Sequence, residues 1–154
     1  MSELNWKTLI EAAIKGEEQS VSFYSKALKN SKYPSSMVFL KQLVEQEKVH
    51  KQKLETILND KTKISKFGFK EGSVQDLKIV DNLKDTPLSN EADYGTILVY
   101  AAKREKNSHD YYKALALELE GTPMAEMFSK LAQEELAHKN KLEKKYDDCV
   151  LAEN

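Results

Sequence analysis

Leu131-Ala132-Gln133-Glu134-Glu135-Leu136-Ala137-His138 has a counterpart 88 residues earlier, Leu43-Val44-Glu45-Gln46-Glu47-Lys48-Val49-His50. Both octapeptides end in Glu-x-x-His, a spacing that puts the two side chains on one helical face. Each follows a further glutamate by 30 residues: Glu17 precedes Glu47, and Glu105 precedes Glu135. The same 88-residue shift carries Tyr24 onto Tyr112 and Leu54 onto Leu142. A repeat can reflect duplicated architecture alone. Ordinary duplication of a helical pair, however, would preserve apolar positions more readily than the charged ones preserved here.

Around these motifs, four segments alternate steps of four and three, the period of a helix facing a bundle core. The seams run Ile10, Ile14, Glu17, Val21, Tyr24, Leu28, then Leu40, Leu43, Glu47, His50, Leu54, Ile57. The third is Leu98, Ala102, Glu105, His109, Tyr112, Ala116, Leu119, and the fourth Met124, Phe128, Leu131, Glu135, His138, Leu142. The pattern predicts helices over about 6–30, 35–58, 91–120 and 123–147. Pro34-Ser35-Ser36 separates the first pair. Gly121-Thr122-Pro123 separates the second, with Gly as helix stop, Thr as N-cap and Pro at the first helical position. Connections this short fold each pair into an antiparallel hairpin. Residues 59–90 carry Phe67-Gly68-Phe69, Glu71-Gly72 and Thr86-Pro87 and read as a long crossover, with a short helix fitting Val74 to Leu83. The expected fold is all-α: one antiparallel four-helix domain over residues 1–148, crossing over between helices two and three, with a tail at 149–154.

Composition agrees. Of the 154 residues, 40% are hydrophobic and 32% charged, which suits amphipathic helices with wet outer faces. Five Gly and three Pro are too few for an all-β fold. Lys+Arg 24 against Asp+Glu 25 leaves a formal charge of -1, without the basic excess a nucleic-acid binder needs. The longest apolar run, Ile97 to Ala102, is too short to span a bilayer. The opening Met1-Ser2-Glu3-Leu4-Asn5-Trp6-Lys7 lacks a secretion signal's apolar core, so cytoplasmic residence is expected. The lone Cys149 forms neither an internal disulfide nor a Cys-x-x-Cys knuckle.

The chemistry lies in Glu17, Glu47, His50, Glu105, Glu135 and His138. Burying an unpaired carboxylate costs several kcal/mol even after relaxation, and four together repel one another. No seam Lys or Arg accompanies them. Two divalent cations balance four carboxylates while both imidazoles stay neutral. Hard oxygen with some imidazole suits iron or manganese, and zinc less specifically. A single Glu-x-x-His on a charged helix is usually a solvated surface pair; two copies, each 30 residues after a seam Glu, are not explained that way. Glu18, Glu45 and Glu134 fall off the seams and read as solvent-facing or rim charges.

Three further seam residues stand near the motifs. Tyr24 and Tyr112 lie two turns beyond Glu17 and Glu105. Two roles fit them: hydrogen-bonding a ligand carboxylate, or packing the core. His109, four residues after Glu105, stands where the first half has Val21. Three roles fit it: a seventh ligand, a proton donor beside the site, or a core histidine bonded to a neighbour.

These residues resemble the rubrerythrin-like branch of the ferritin superfamily. The likeness rests on Glu17 with Phe23-Tyr24, Glu105 with Tyr111-Tyr112, and the two octapeptides. It implies a ferritin-like antiparallel four-helix bundle holding a non-haem di-iron centre. Glu47 and Glu135 would bridge, Glu17 and Glu105 would be terminal ligands, and each iron would take one imidazole, with no catalytic residue beyond the metal centre. Rubrerythrins reduce hydrogen peroxide and ferritins oxidise ferrous iron for storage. The resemblance therefore implies an oxidoreductase that scavenges peroxide or reacts with dioxygen under oxidative stress, with a ferroxidase or iron-storage role as the alternative. It also implies a homodimer, in some members with helices exchanged. Two departures stand out. Rubrerythrins generally carry a Glu three residues after the helix-three Glu, where this chain has Ser108, leaving a six-ligand set similar to the bacterioferritin type. The four cysteines of an appended rubredoxin domain are also missing, so electrons are expected from a separate donor protein.

Overall fold

The computed structural model describes residues 3–32, 34–60 and 93–153. They form four helices: α1 (Glu3–Lys29), α2 (Pro34–Asn59), α3 (Tyr94–Glu118) and α4 (Pro123–Glu153). No strand occurs among the described residues. No helix there is long and apolar enough to cross a membrane. The chain divides into two compact units, Met1–Phe69 and Lys70–Asn154. The first holds the α1–α2 hairpin and the second the α3–α4 hairpin. The expected crossover, with the short helix at Val74 to Leu83, lies outside the described residues from 61 onward.

Local chemistry sets the helix ends. In the first hairpin the Ser31 amide donates to the Leu28 carbonyl at 3.2 Å, tightening the last turn of α1. The Ser31 and Ser36 hydroxyls share a 2.5 Å hydrogen bond across the connection. Pro34 opens α2, where its missing N–H costs nothing. In the second hairpin Asp93 caps α3, its carboxylate accepting from the Thr96 amide at 2.7 Å. That cap starts the helix at Tyr94, later than the predicted 91. Gly121 adopts φ 87°, the left-handed region that an L side chain enters only with strain. Thr122 then caps α4, its hydroxyl accepting from the Ala125 amide at 3.3 Å. Gly stop, Thr cap and Pro123 start all stand as the pattern indicated. The predicted tail is corrected: α4 runs on through Glu153, so 149–153 are helical.

Both hairpins bury the seam predicted for them. Ile10, Ile14 and Tyr24 of α1 are buried, as are Leu40, Leu43, Leu54 and Ile57 of α2. Leu98, Ala102 and Tyr112 of α3 are buried with Phe128, Leu131 and Leu142 of α4. Val21 and Leu28 are half-buried. Each fully buried Leu or Ile contributes roughly 1.5–3 kcal/mol of transfer free energy.

On α4 the buried band is wider than one seam. Ala132, Leu136, Lys139 and Glu143 form a second buried stripe. Lys139 and Glu143 are both 0% exposed, and Nζ of Lys139 donates to Glu143 Oε1 at 3.0 Å. The repeat places this pair on Lys51 and Glu55 of α2. There the charges are 3.5 Å apart, with side chains 35% and 48% exposed, and Lys51 also meets Glu18 at 3.6 Å. One pair is therefore dry and the other wet. Removing one partner of a buried pair leaves the other charge without its nearest compensation, whereas exposed pairs contribute little. Lys139→Met should destabilise the protein by about 3 kcal/mol or more, and Lys51→Met by less than about 1 kcal/mol. Thermal denaturation of both variants beside the unsubstituted chain measures the difference, and equal losses would contradict it.

Candidate metal centre

In the first hairpin, α1 carries Glu17 between the buried Ile14 and Tyr24, and α2 carries Glu47 and His50 one helical turn apart. His50 Nδ1 lies 3.6 Å from Glu17 Oε1 and 3.7 Å from Glu47 Oε2. In the second hairpin, α3 carries Glu105 and α4 carries Glu135 and His138. His138 Nδ1 lies 3.8 Å from Glu105 Oε2 and 3.8 Å from Glu135 Oε2. Within each triad, one ligating atom per residue falls within 4.8 Å of the others. All six residues are buried, none more than 6% exposed. The neighbouring acids behave as expected: Glu18 and Glu45 are exposed and Glu134 is half-buried.

The carboxylate–imidazole gaps of 3.6–3.8 Å match those between two ligands of one cation. Two atoms each about 2.1 Å from one ion lie about 3–4 Å apart. Each triad therefore has the donor types and the spacing that a divalent cation takes. Two carboxylates and one neutral imidazole supply the charge that such a cation offsets.

Without a cation the Glu17 carboxyl answers with a proton. Burial, followed by the charge of the adjacent Glu47 and a hydrogen bond with it, pushes the Glu17 carboxyl up from 4.5 to about 8. A hydrogen bond with His50 and its charge pull the other way. An acid this far displaced by dry surroundings and a like charge marks a place built for something positive.

The residues flanking the triads differ between halves. His109 is buried, and its Nδ1–H donates to the Ala132 carbonyl at 2.8 Å, joining α3 to α4. Of the three roles open to it, a core histidine bonded to a neighbour is what the geometry shows. Tyr112 is buried and stacks on Phe128, with ring centroids 5.8 Å apart and planes at 19°. Tyr24 is buried and meets Phe23 edge-on at 5.3 Å. Both tyrosine rings are part of the buried core. Sequence reading passed over Lys139 and Glu143, which directly follow the second triad on α4. Their signal was faint: they continue the stripe set by Ala132 and Leu136, but as an i, i+4 ion pair they look like surface.

Comparison with known proteins adds a family. The rubrerythrin family matches residues 8–92 and 96–154, almost the whole chain. The chain belongs to the rubrerythrin family. No curated protein and no solved structure matches it. Its four helices accordingly make an all-α bundle of the rubrerythrin, ferritin-like type. Rubrerythrins being di-iron carboxylate proteins, the buried Glu/His triads are suited to metal.

The displaced acid has a consequence for stability. Folded, metal-free protein keeps the Glu17 proton up to about pH 8, whereas the unfolded chain releases it near 4.5. Between those values the folded state binds more protons, so stability falls as pH rises. Chelator-treated protein should lose thermal stability from about pH 4.5 to 8, and Glu17→Gln should flatten that slope. A slope unchanged by the substitution would assign it to other groups.

Proposed function

We propose that Glu17, Glu47, His50, Glu105, Glu135 and His138 together hold two iron ions, and that the chain is an oxidoreductase consuming hydrogen peroxide or dioxygen. One observation carries this reading: the same buried Glu, Glu, His arrangement, at the same spacing, occurs in both hairpins of a rubrerythrin-family chain. When bound, the ferrous pair supplies two electrons, enough to reduce one peroxide to two waters with two protons.

The chain's own residues do the rest. Glu47 and Glu135, each one turn from its histidine, would hold the ions together with Glu17 and Glu105. His50 and His138 present Nδ1 to the site, and a nitrogen that ligates must be free of its proton. Glu17, whose carboxyl is pushed up to about 8, would give up its proton on becoming a ligand. The apolar neighbours Ile14, Leu43, Leu131 and Leu142 keep water from the ligands and fix their rotamers. Electrons for repeated turnover come from a donor outside these 154 residues, since the single Cys149 cannot hold a rubredoxin-type iron.

Ser108, half-buried one turn beyond Glu105, supports a second reading. A serine there leaves six ligands, the set of ferroxidase-type centres, and the chain then oxidises ferrous iron for storage or delivery. Assembly size and iron retention separate the two. A small assembly that retains no mineral supports the peroxide reading, and a large one holding many irons per chain supports storage.

Protein loaded anaerobically with ferrous ions should bind two per chain and be oxidised by peroxide faster than free iron. Glu47→Ala should weaken binding at least about tenfold. Stopped-flow absorbance and metal analysis read both, and oxidation no faster than that of free iron would remove the enzymatic reading.

A further inference from the structure

Two phenol rings lead out of the α3–α4 hairpin toward water. Tyr112 is 3% exposed and stacks on Phe128, with ring centroids 5.8 Å apart. Its chain neighbour Tyr111 is 40% exposed, and the two tyrosine rings lie 5.8 Å apart at a tilt of 56°. Both separations fall within the range of packed aromatic pairs. Consecutive residues on a helix point about 100° apart, which is why one ring is in the core and the other at the surface.

The inner ring lies near the proposed ligands. Tyr112 shares the α3 seam with Glu105 and follows it by seven residues, about 10 Å of helix rise. Helical side chains lean toward the N-terminus, so the Tyr112 ring is nearer Glu105 than its backbone is. In the first hairpin the corresponding rings are Tyr24 and Phe23, with centroids 5.3 Å apart. Phe23 has no phenol, and a ring without one is far harder to oxidise. The outer position is therefore oxidisable only in α3.

Peroxide takes two electrons and two protons to become two waters. A centre holding a single ferrous ion supplies one electron, and one-electron reduction of peroxide yields hydroxide and a hydroxyl radical that attacks its surroundings. A phenol that gives the second electron prevents this.

We propose that Tyr111 and Tyr112 relay an electron from the surface to the metal centre: when peroxide meets a centre holding one ferrous ion, the second electron comes from Tyr111 by way of Tyr112, and a small enediol reductant such as ascorbate restores Tyr111. One electron comes from the ferrous ion. The other electron and one proton come from Tyr111, and the second proton comes from solvent, so peroxide leaves as two waters. Tyr112 is oxidised and reduced again in passing and ends unchanged. Tyr111 becomes a neutral phenoxyl radical, which one electron and one proton from ascorbate return to the phenol. The inference rests on the metal reading given above and adds an activity to it, the one-electron oxidation of small reductants at Tyr111.

The test loads the full chain anaerobically with one ferrous ion per chain and adds hydrogen peroxide. Freeze-quenched electron paramagnetic resonance should show a tyrosyl radical, identified by the change in its hyperfine pattern when the tyrosines are ring-deuterated. A nitroso spin trap added in parallel should leave its adduct on Tyr111, located by peptide mass spectrometry, and ascorbate should quench both signals. Tyr112→Phe should remove the Tyr111 adduct. Tyr111→Phe should leave a radical that ascorbate quenches more slowly. Tyr100→Phe, on the same helix but outside the relay, should change neither signal.

An adduct on Tyr111 that survives Tyr112→Phe would mean direct attack by hydroxyl radical from solution and would overturn the relay. So would an adduct found on another tyrosine instead, or ferrous ion oxidised with no radical formed. Should Tyr112→Phe fail to fold, the adduct position and the ascorbate response of Tyr111→Phe decide. Those outcomes refute the relay and leave the metal reading standing. No iron bound by the unsubstituted chain refutes the metal reading and the inference with it.

Discussion

A carboxylate removed from water must meet a proton, a cation or a set of donors, and this chain removes four from water on purpose-built helix faces. Each hairpin aligns one glutamate from its first helix with a glutamate and a histidine from its second. The apolar residues above and below them exclude solvent and raise the cost of any uncompensated charge. Glu17 shows that cost directly: in the absence of a cation its carboxyl retains a proton far above the usual carboxylate range. The fold is thus least comfortable where its chemistry is expected, and a bound cation relieves the same discomfort that burial creates.

The hairpins solve this problem twice, with different supports. In α1–α2 the triad sits among aliphatic neighbours, and the nearby Lys51 faces water with Glu55 and Glu18. In α3–α4 a histidine-to-carbonyl bond and a stacked Tyr–Phe pair tie the helices together, and a lysine and a glutamate lie in the dry interior. Buried ionic and hydrogen-bonded contacts are directional, so they resist sliding in a way that aliphatic packing does not. The ligating residues are common to both halves, but Val21, Val44 and Leu40 stand where the second half has His109, Ala132 and Phe128.

The sequence was most readable where one physical requirement controlled the residue type. Glu-x-x-His, repeated behind a seam glutamate, located all three members of both triads, because metal-type donors on an apolar seam have few other reasons to be there. The turn at Gly121-Thr122-Pro123 was equally legible, since left-handed backbone, side-chain cap and missing N–H each demand a particular residue. Legibility failed where a residue's role depends on what lies across from it. Lys139 and Glu143 have the spacing of a solvated i, i+4 pair, which is how their counterparts Lys51 and Glu55 behave. Only three-dimensional burial tells the two pairs apart. The end of α4 was missed because Tyr146, Asp147 and Asp148 carry no stop signal and no clear apolar period, yet the helix runs through them. His109 could be placed on its seam, but its acceptor is a backbone carbonyl on another helix, and a carbonyl leaves no trace in the residue code.

The dry Lys139–Glu143 pair also bears on ancestry. If the two hairpins descend from one duplicated segment, a pair still wet at Lys51–Glu55 has become enclosed in the other copy. Enclosure of that kind is hard to reverse one residue at a time, because losing either charge strands the other. The second hairpin is therefore committed in a way the first is not. A chimaera built from two copies of the first hairpin would keep a full set of glutamates and histidines but none of the second hairpin's braces. If the halves began as interchangeable parts, the buried pair marks where exchange between them would stop being neutral.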